Sequence, residues 1–210
     1  MCKSVRSAVL SCAILVSFSG LAQADISALT SFAGGNLATS QGDELYGWVF
    51  TVNAPITVTA LGVFDNGDDG LSVSHAVGIF DQSSQALLGS ATVPAGGGSL
   101  IGDFRYVDVS SFSLAQGASY VIAMTMPSGN SDFQTIDNTS VATASQISFV
   151  SSAFDSGSTL AFPTTDASFN DGMFGPNFTF TASTTPEPSF YVVLGLGLTG
   201  LVYAVRRRSA

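Results

Sequence analysis

The densest run of side chains able to do chemistry is Asp65-Asn66-Gly67-Asp68-Asp69-Gly70. Carboxylates on a turn offer the hard oxygen ligands that Ca²⁺ prefers, so Asp65, Asp68 and Asp69 are candidate calcium ligands. Set into an EF-hand loop, Asp65, Gly67 and Asp69 fill the first, third and fifth positions and Gly70 the sixth. The closing position then falls on Ala76, where that motif needs Glu, so the loop is not of that type. The same composition also makes a hairpin turn, because Asp, Asn and Gly accept turn dihedrals. Asp43 with Glu44, or Asp132 with Asp137, could add oxygens from other loops.

His75 follows Ser74 and is the single histidine of the chain. A Ser-His-Asp hydrolase would have to use it as its base. No G-x-S-x-G elbow supplies a nucleophile, and no strand-to-helix turn is predicted to carry one. A catalytic role for His75, the first residue of a predicted strand, is therefore not expected. Paired carboxylates can hydrolyse glycosides, but so many acids form pairs that no pair stands out. Arg105 lies in the strand-like FRYV and is expected to serve one buried or edge ion pair. Tyr46, Trp48, Tyr106 and Tyr120 could make a platform for sugar rings, but their places within predicted strands favour core packing. Asn138-Thr139-Ser140 and Asn177-Phe178-Thr179 match the N-glycosylation sequon.

The elements that must position these residues are strands. Charged residues make up only 10 % of the 210 positions, while there are 22 Gly and 16 Phe. That composition suits short pleated runs and many turns rather than helices with charged faces. The apolar content is too high for disorder. Runs at 46–52, 56–64, 75–81, 86–93, 104–109, 119–126, 146–150 and 177–181 are broken by Gly, Asn, Asp, Ser and Pro. In the second run Ile56, Val58 and Ala60 alternate with Thr57, Thr59 and Leu61, the period of a half-buried strand. The expected fold is all-β, an antiparallel β-sandwich of jelly-roll type over residues 25–184.

Charge excludes one class of partner. Between Asp25 and Thr185 the only basic residue is Arg105 against fourteen acidic ones, a body charge of about −13. Such a surface repels phosphate backbones, so nucleic acid is not an expected partner. Both cysteines, Cys2 and Cys12, lie in the first twelve residues. With that segment removed the body has neither disulfide nor thiol metal site.

The two ends are different in kind. Residues 1–24 place Lys3 and Arg6 before an apolar stretch and end in Ala22-Gln23-Ala24, the pattern of a signal peptide cut by signal peptidase between Ala24 and Asp25. At the other end, residues 190–205 form an uncharged run of 16 residues, expected as a transmembrane helix although about 20 usually span a bilayer. Arg206, Arg207 and Arg208 follow and are expected to stay cytoplasmic, leaving the body outside. Pro186-Glu187-Pro188, the apolar run and the arginine cluster together closely resemble the PEP-CTERM sorting signal of Gram-negative bacteria, here residues 185–210. That resemblance implies recognition by exosortase, a membrane-embedded cysteine protease, with processing near Pro186-Glu187-Pro188. It further implies transit through the inner membrane to the cell surface or extracellular matrix, and a link to exopolysaccharide and biofilm.

Residues 47–99 carry a second resemblance. F-x-V-x-x-x-I-x-V-T-A-L-G-x-F-D falls on Phe50 to Asp65, H-x-V-x-I-x-D on His75 to Asp81, and A-T-V-P-A-G on Ala91 to Gly96. With FRYV at Phe104 to Val107 and G-x-S-Y-V-I at Gly117 to Ile122, they are similar to a secreted bacterial β-sandwich domain treated as an adhesion, carbohydrate-binding or envelope module. The first reading is a non-enzymatic exported surface protein without a cofactor. The alternative is a calcium-assisted carbohydrate-binding or adhesion module. A secreted hydrolase ranks below both.

Overall fold

Branched and aromatic residues pack well on a pleated surface, and Gly, Asn and Asp end each run by accepting turn geometry. The computed structural model describes residues 24–167, 172–182 and 188–208. Three short strands, β1 (Ile26–Ser27), β2 (Leu29–Ala33) and β3 (Asn36–Ala38), precede the long β4 (Glu44–Val52) and β5 (Ile56–Phe64). Then come β6 (His75–Asp81), β7 (Leu87–Val93), β8 (Ser99–Ile101), β9 (Phe104–Leu114) and β10 (Ser119–Met126). The chain continues through β11 (Gln134–Ile136), β12 (Ser140–Thr143), β13 (Ile147–Ser156), β14 (Thr165–Ala167) and β15 (Pro176–Ala182). Among the described residues one helix, α1 (Pro188–Arg208), follows. The body is all-β, as its composition predicts.

One antiparallel sheet has the order β1-β15-β5-β9-β8, the other β14-β13-β4-β10-β6-β7. Two small ribbons, β3 with β11 and β2 with β12, lie beside them. The main sheets meet through aromatic side chains. Phe50 of β4 lies 5.0 Å, ring centre to ring centre, from Phe178 of β15, and Trp48 stacks on the same ring at 6.1 Å. The Trp48 indole N–H donates to the Pro176 carbonyl at 2.8 Å, so its polar atom is satisfied although the side chain is fully buried. Burying one such side chain contributes about 2 kcal/mol. Asn177 ties β1 to β15: its Oδ1 accepts from the Leu29 amide, and its Nδ2 donates to Ser27 Oγ and to the Leu29 carbonyl.

The alternation expected in β5 holds only as far as its bulge. Thr57 and Thr59 are half-buried between buried Val58 and Ala60, but Leu61 is fully buried as well. Pairing with β15 jumps from Ala60–Thr179 to Val58–Phe180, and the one extra residue of β5, Thr59, turns the following side chains over. The Asp65–Gly70 segment is not a hairpin turn. It carries the chain from β5 in one sheet to β6 in the other, with positive φ at Gly67 (90°), Asp68 (60°) and Gly70 (99°).

Register separates the two ends of the body. Val52, Ile56, Leu114 and Ala182 pair among themselves or join through the 53–55 turn at one end. Glu44, Phe64, His75, Phe104 and Met126 lie at the other.

The expected signal segment and its cysteines lie outside the described residues except for Ala24. So do Pro186 and Glu187 of the sorting motif and the body's last expected residues, 183 and 184. A helix does form over the C-terminal apolar run, with Arg206, Arg207 and Arg208 in its last turn. Its start at Pro188 is compatible with the missing proline N–H, which the first helical turn does not use. Among the described residues, however, no helix is long and apolar enough to cross a membrane. The uncharged stretch is short, and Gly195, Gly197, Thr199 and Gly200 dilute it.

Candidate functional site: an acidic cleft between two hydrogen-bonded walls

At the end of the body opposite Asp25, a cleft of about 380 Å³ opens between the 64–72 crossover and the 131–133 segment. Asp65 and Asp69 stand on one wall and Asp132 on the other, with Phe64, Leu71 and Phe133 supplying apolar surface. The topology therefore gathers Asp132 with two of the three calcium candidates. Asp68 is exposed beside them, outside the lining.

Each buried carboxylate already has a cationic or ring partner. Asp65 is 3 % exposed, and Arg105 Nε donates to its Oδ2 at 2.5 Å. The Gly70 amide lies 3.2 and 3.1 Å from its two oxygens, and Arg105 Nη2 donates to the Asp68 carbonyl at 3.1 Å. The guanidinium thus fixes both the carboxylate and the turn that carries it, a use its planar fork suits. Arg105 is in β9, where its sequence context predicts one ion pair, and it makes one.

On the other wall, Asp132 Oδ1 accepts from the Ser72 amide at 2.7 Å and Oδ2 from the Val73 amide at 3.1 Å. His75 Nε2 meets the same Oδ2 at 2.8 Å, and His75 Nδ1 lies 2.8 Å from the Thr125 carbonyl. A carbonyl oxygen only accepts, so Nδ1 donates to it, and one further proton lies between Nε2 and the carboxylate. Burial opposes ionisation of Asp132, but the Ser72 amide, the His75 ring and the Val73 amide outweigh it. The carboxyl therefore titrates below the ordinary range. His75 has no exposed surface, and Ser74 Oγ accepts from the Ala95 amide instead of facing the ring. The first residue of β6 thus joins β10 to the 131–133 wall.

Other candidates are dispersed. Asp43 Oδ1 accepts from the Ser128 amide, and Glu44 bonds to the Tyr46 hydroxyl. Asp137 is exposed, with a φ of 55°. Among the described residues no group of three or more His, Cys, Asp or Glu is placed to hold a metal ion. Tyr46, Trp48, Tyr106 and Tyr120 are all buried in the core. Burial pushes the Tyr46 and Tyr106 hydroxyls well above their ordinary range. Both sequon asparagines are buried, with their amide nitrogens donating to Thr135 and Gly172 or to Ser27 and Leu29.

Sequence reasoning missed the pairing of His75 with Asp132, which are separated by 57 residues. A signal was present: a strand-start histidine, once buried, needs a hydrogen-bond partner for each ring nitrogen. Comparison of the chain with protein-family models and with curated proteins finds no match.

Proposed function

We propose that the chain is a non-enzymatic exported surface protein, one acidic β-sandwich delivered by a C-terminal sorting signal that exosortase processes. The observation that carries this reading is α1. Leu196, Leu198 and Leu201 are 68, 58 and 59 % exposed, while the arginines occupy the last turn. Leucines set out from a helix in this way call for an apolar surrounding, and terminal arginines suit the cytoplasmic interface of a bilayer. Thr199 Oγ donates to the Gly195 and Leu196 carbonyls, which removes its hydroxyl as an obstacle to lipid. The apolar run measures about 24 Å at 1.5 Å per residue, and local thinning with extended arginine stems covers the shortfall.

The strand order supports a jelly-roll body, with β1-β15-β5-β9 opposite β4-β10-β6-β7, β13 and β14 added beyond β4 and β8 beyond β9. Replacing Pro186-Glu187-Pro188 by three alanines in an exosortase-bearing Gram-negative host tests the sorting claim. The variant should remain full length in the inner membrane, whereas unchanged processing would contradict the claim.

A second reading, a binding or adhesion module that takes carbohydrate, is supported by the cleft with its phenylalanine, hydroxyl and carboxylate lining. It needs no calcium to neutralise Asp65, because Arg105 already does so. Retention on a glycan array, lost in an Asp69→Ala variant, would support it; no retention on any glycan would remove it.

A further inference from the structure

The two segments that attach the body to a membrane during export leave it at the same end. In the antiparallel pairing of β1 with β15, Ile26 lies opposite Phe180 and Ser27 opposite Thr179. Asp25, the first residue after the expected signal cleavage, therefore stands beside the last residues of β15. Its Oδ1 accepts from Thr59 Oγ at 3.0 Å, which holds the start of the body against β5. From Ala182 to Pro188 the chain has six residue steps, which span about 20 Å at most. The end bearing Asp25 and Ala182 cannot stand farther than that from the start of α1.

Charge separates the same two ends independently. Asp43 and Glu44 at the start of β4, the 65–69 crossover, Asp103, Asp132 and Asp155 all belong to the end away from Asp25. The attachment end has the turns 53–55, 82–85 and 115–118, whose residues carry no charge, with Asp25 and Asp81 beside them. The Asp81 carboxylate is wrapped by Ser84 and Ser83 donors, which hold its pKa at about 2. An anionic lipid surface repels the acidic end and tolerates the neutral one.

We propose that the sandwich stands on the membrane by its Asp25–Ala182 end and presents the acidic cleft outward, away from the lipid. This orientation rests on the membrane-anchor reading of α1. It makes the cleft of Asp65, Asp69 and Asp132 the surface that meets the medium, and the 82–85 and 115–118 turns the surface that meets headgroups. The two ends lie about 30 Å apart, the length of a nine-residue strand such as β4.

The test uses the protein that starts at Asp25 and keeps its C-terminal helix, placed in vesicles of phosphatidylethanolamine and phosphatidylglycerol with an acceptor dye on the headgroups. That chain has no cysteine, so single donors can be attached through Gln82→Cys or Gln116→Cys at one end and Asn66→Cys or Ser128→Cys at the other. All four positions are exposed. Energy transfer from positions 82 and 116 should be several-fold more efficient than from 66 and 128. Equal or reversed transfer, in protein that floats with the vesicles, overturns the orientation but leaves the anchor standing. Protein that does not float with the vesicles overturns the anchor, and the orientation with it.

Discussion

The β body and the C-terminal helix treat the same kind of side chain in opposite ways. Trp48, Phe50 and Phe178 are fully buried between two sheets, whereas Leu196, Leu198 and Leu201 of α1 are more than half exposed. Polar atoms follow the same division: in the body the Trp48 indole and the Asn177 amide find partners deep inside. The body holds its core with its own residues, and the helix leaves apolar surface for something else to cover. That division is the one our proposal of export and C-terminal sorting calls for.

That contrast can be broken residue by residue. The largest effect belongs to the core: Trp48→Ala should lower stability by about 3–5 kcal/mol, read as a fall in the denaturation midpoint. A loss below 1 kcal/mol would mean that the two sheets do not depend on that contact. Next is Asp132→Ala, which strands the His75 ring and the Ser72 and Val73 amides; breaking such a buried pair costs about 3 kcal/mol or more. The Asp132→Asn variant sharpens the test with pH. The folded carboxyl titrates below its unfolded value of about 3.9, so its stabilisation is complete above that value. It is lost as pH falls through the folded pKa. The wild type should therefore lose stability more steeply on acidification than the Asn variant, and parallel acid limbs would contradict this.

Smaller effects follow. Millimolar Ca²⁺ should leave the melting temperature of the body unchanged, because Arg105 and His75 already partner Asp65 and Asp132. A calcium ion bound at a hundred times its dissociation constant would add about 2.7 kcal/mol, a shift easily seen. Smallest of all, Leu196→Ala should change the melting of the body by less than about 0.5 kcal/mol, as for an exposed site. A large fall would mean that α1 packs on the sheets.

Much of the body was legible because its long strands carry their own signals. β5, β6 and β10 match the predicted bounds at both ends, since Pro55, Asp81 and Pro127 bracket runs of branched and aromatic residues. β9 and β13 run five and six residues beyond the expected ends, through serine-rich stretches such as Ser110 and Ser111. Pairing with a neighbouring strand overrides weak local preference there. The two-residue β1 was illegible, because it is fixed by the neighbouring β15, through pairing and the Asn177 amide that donates to Ser27 Oγ. The cleft was half visible. The acidic crossover and Arg105 each stood out, but the partners of Asp65 and Asp132 lie 40 and 57 residues away. A local pattern carries no record of such distant register, so the crossover's acidic run is visible in the sequence without its Arg105 partner.

The most direct test of the account is the intact mass of the protein recovered from its host, fraction by fraction. A surface or extracellular species that starts at Asp25 and ends near Pro186-Glu187-Pro188 is the predicted result, and added mass at the new terminus would point to a matrix conjugate. A membrane species that keeps Arg206 to Arg208, with no shorter form in any fraction, would contradict it: the helix would then be a plain anchor and the processing step would not exist.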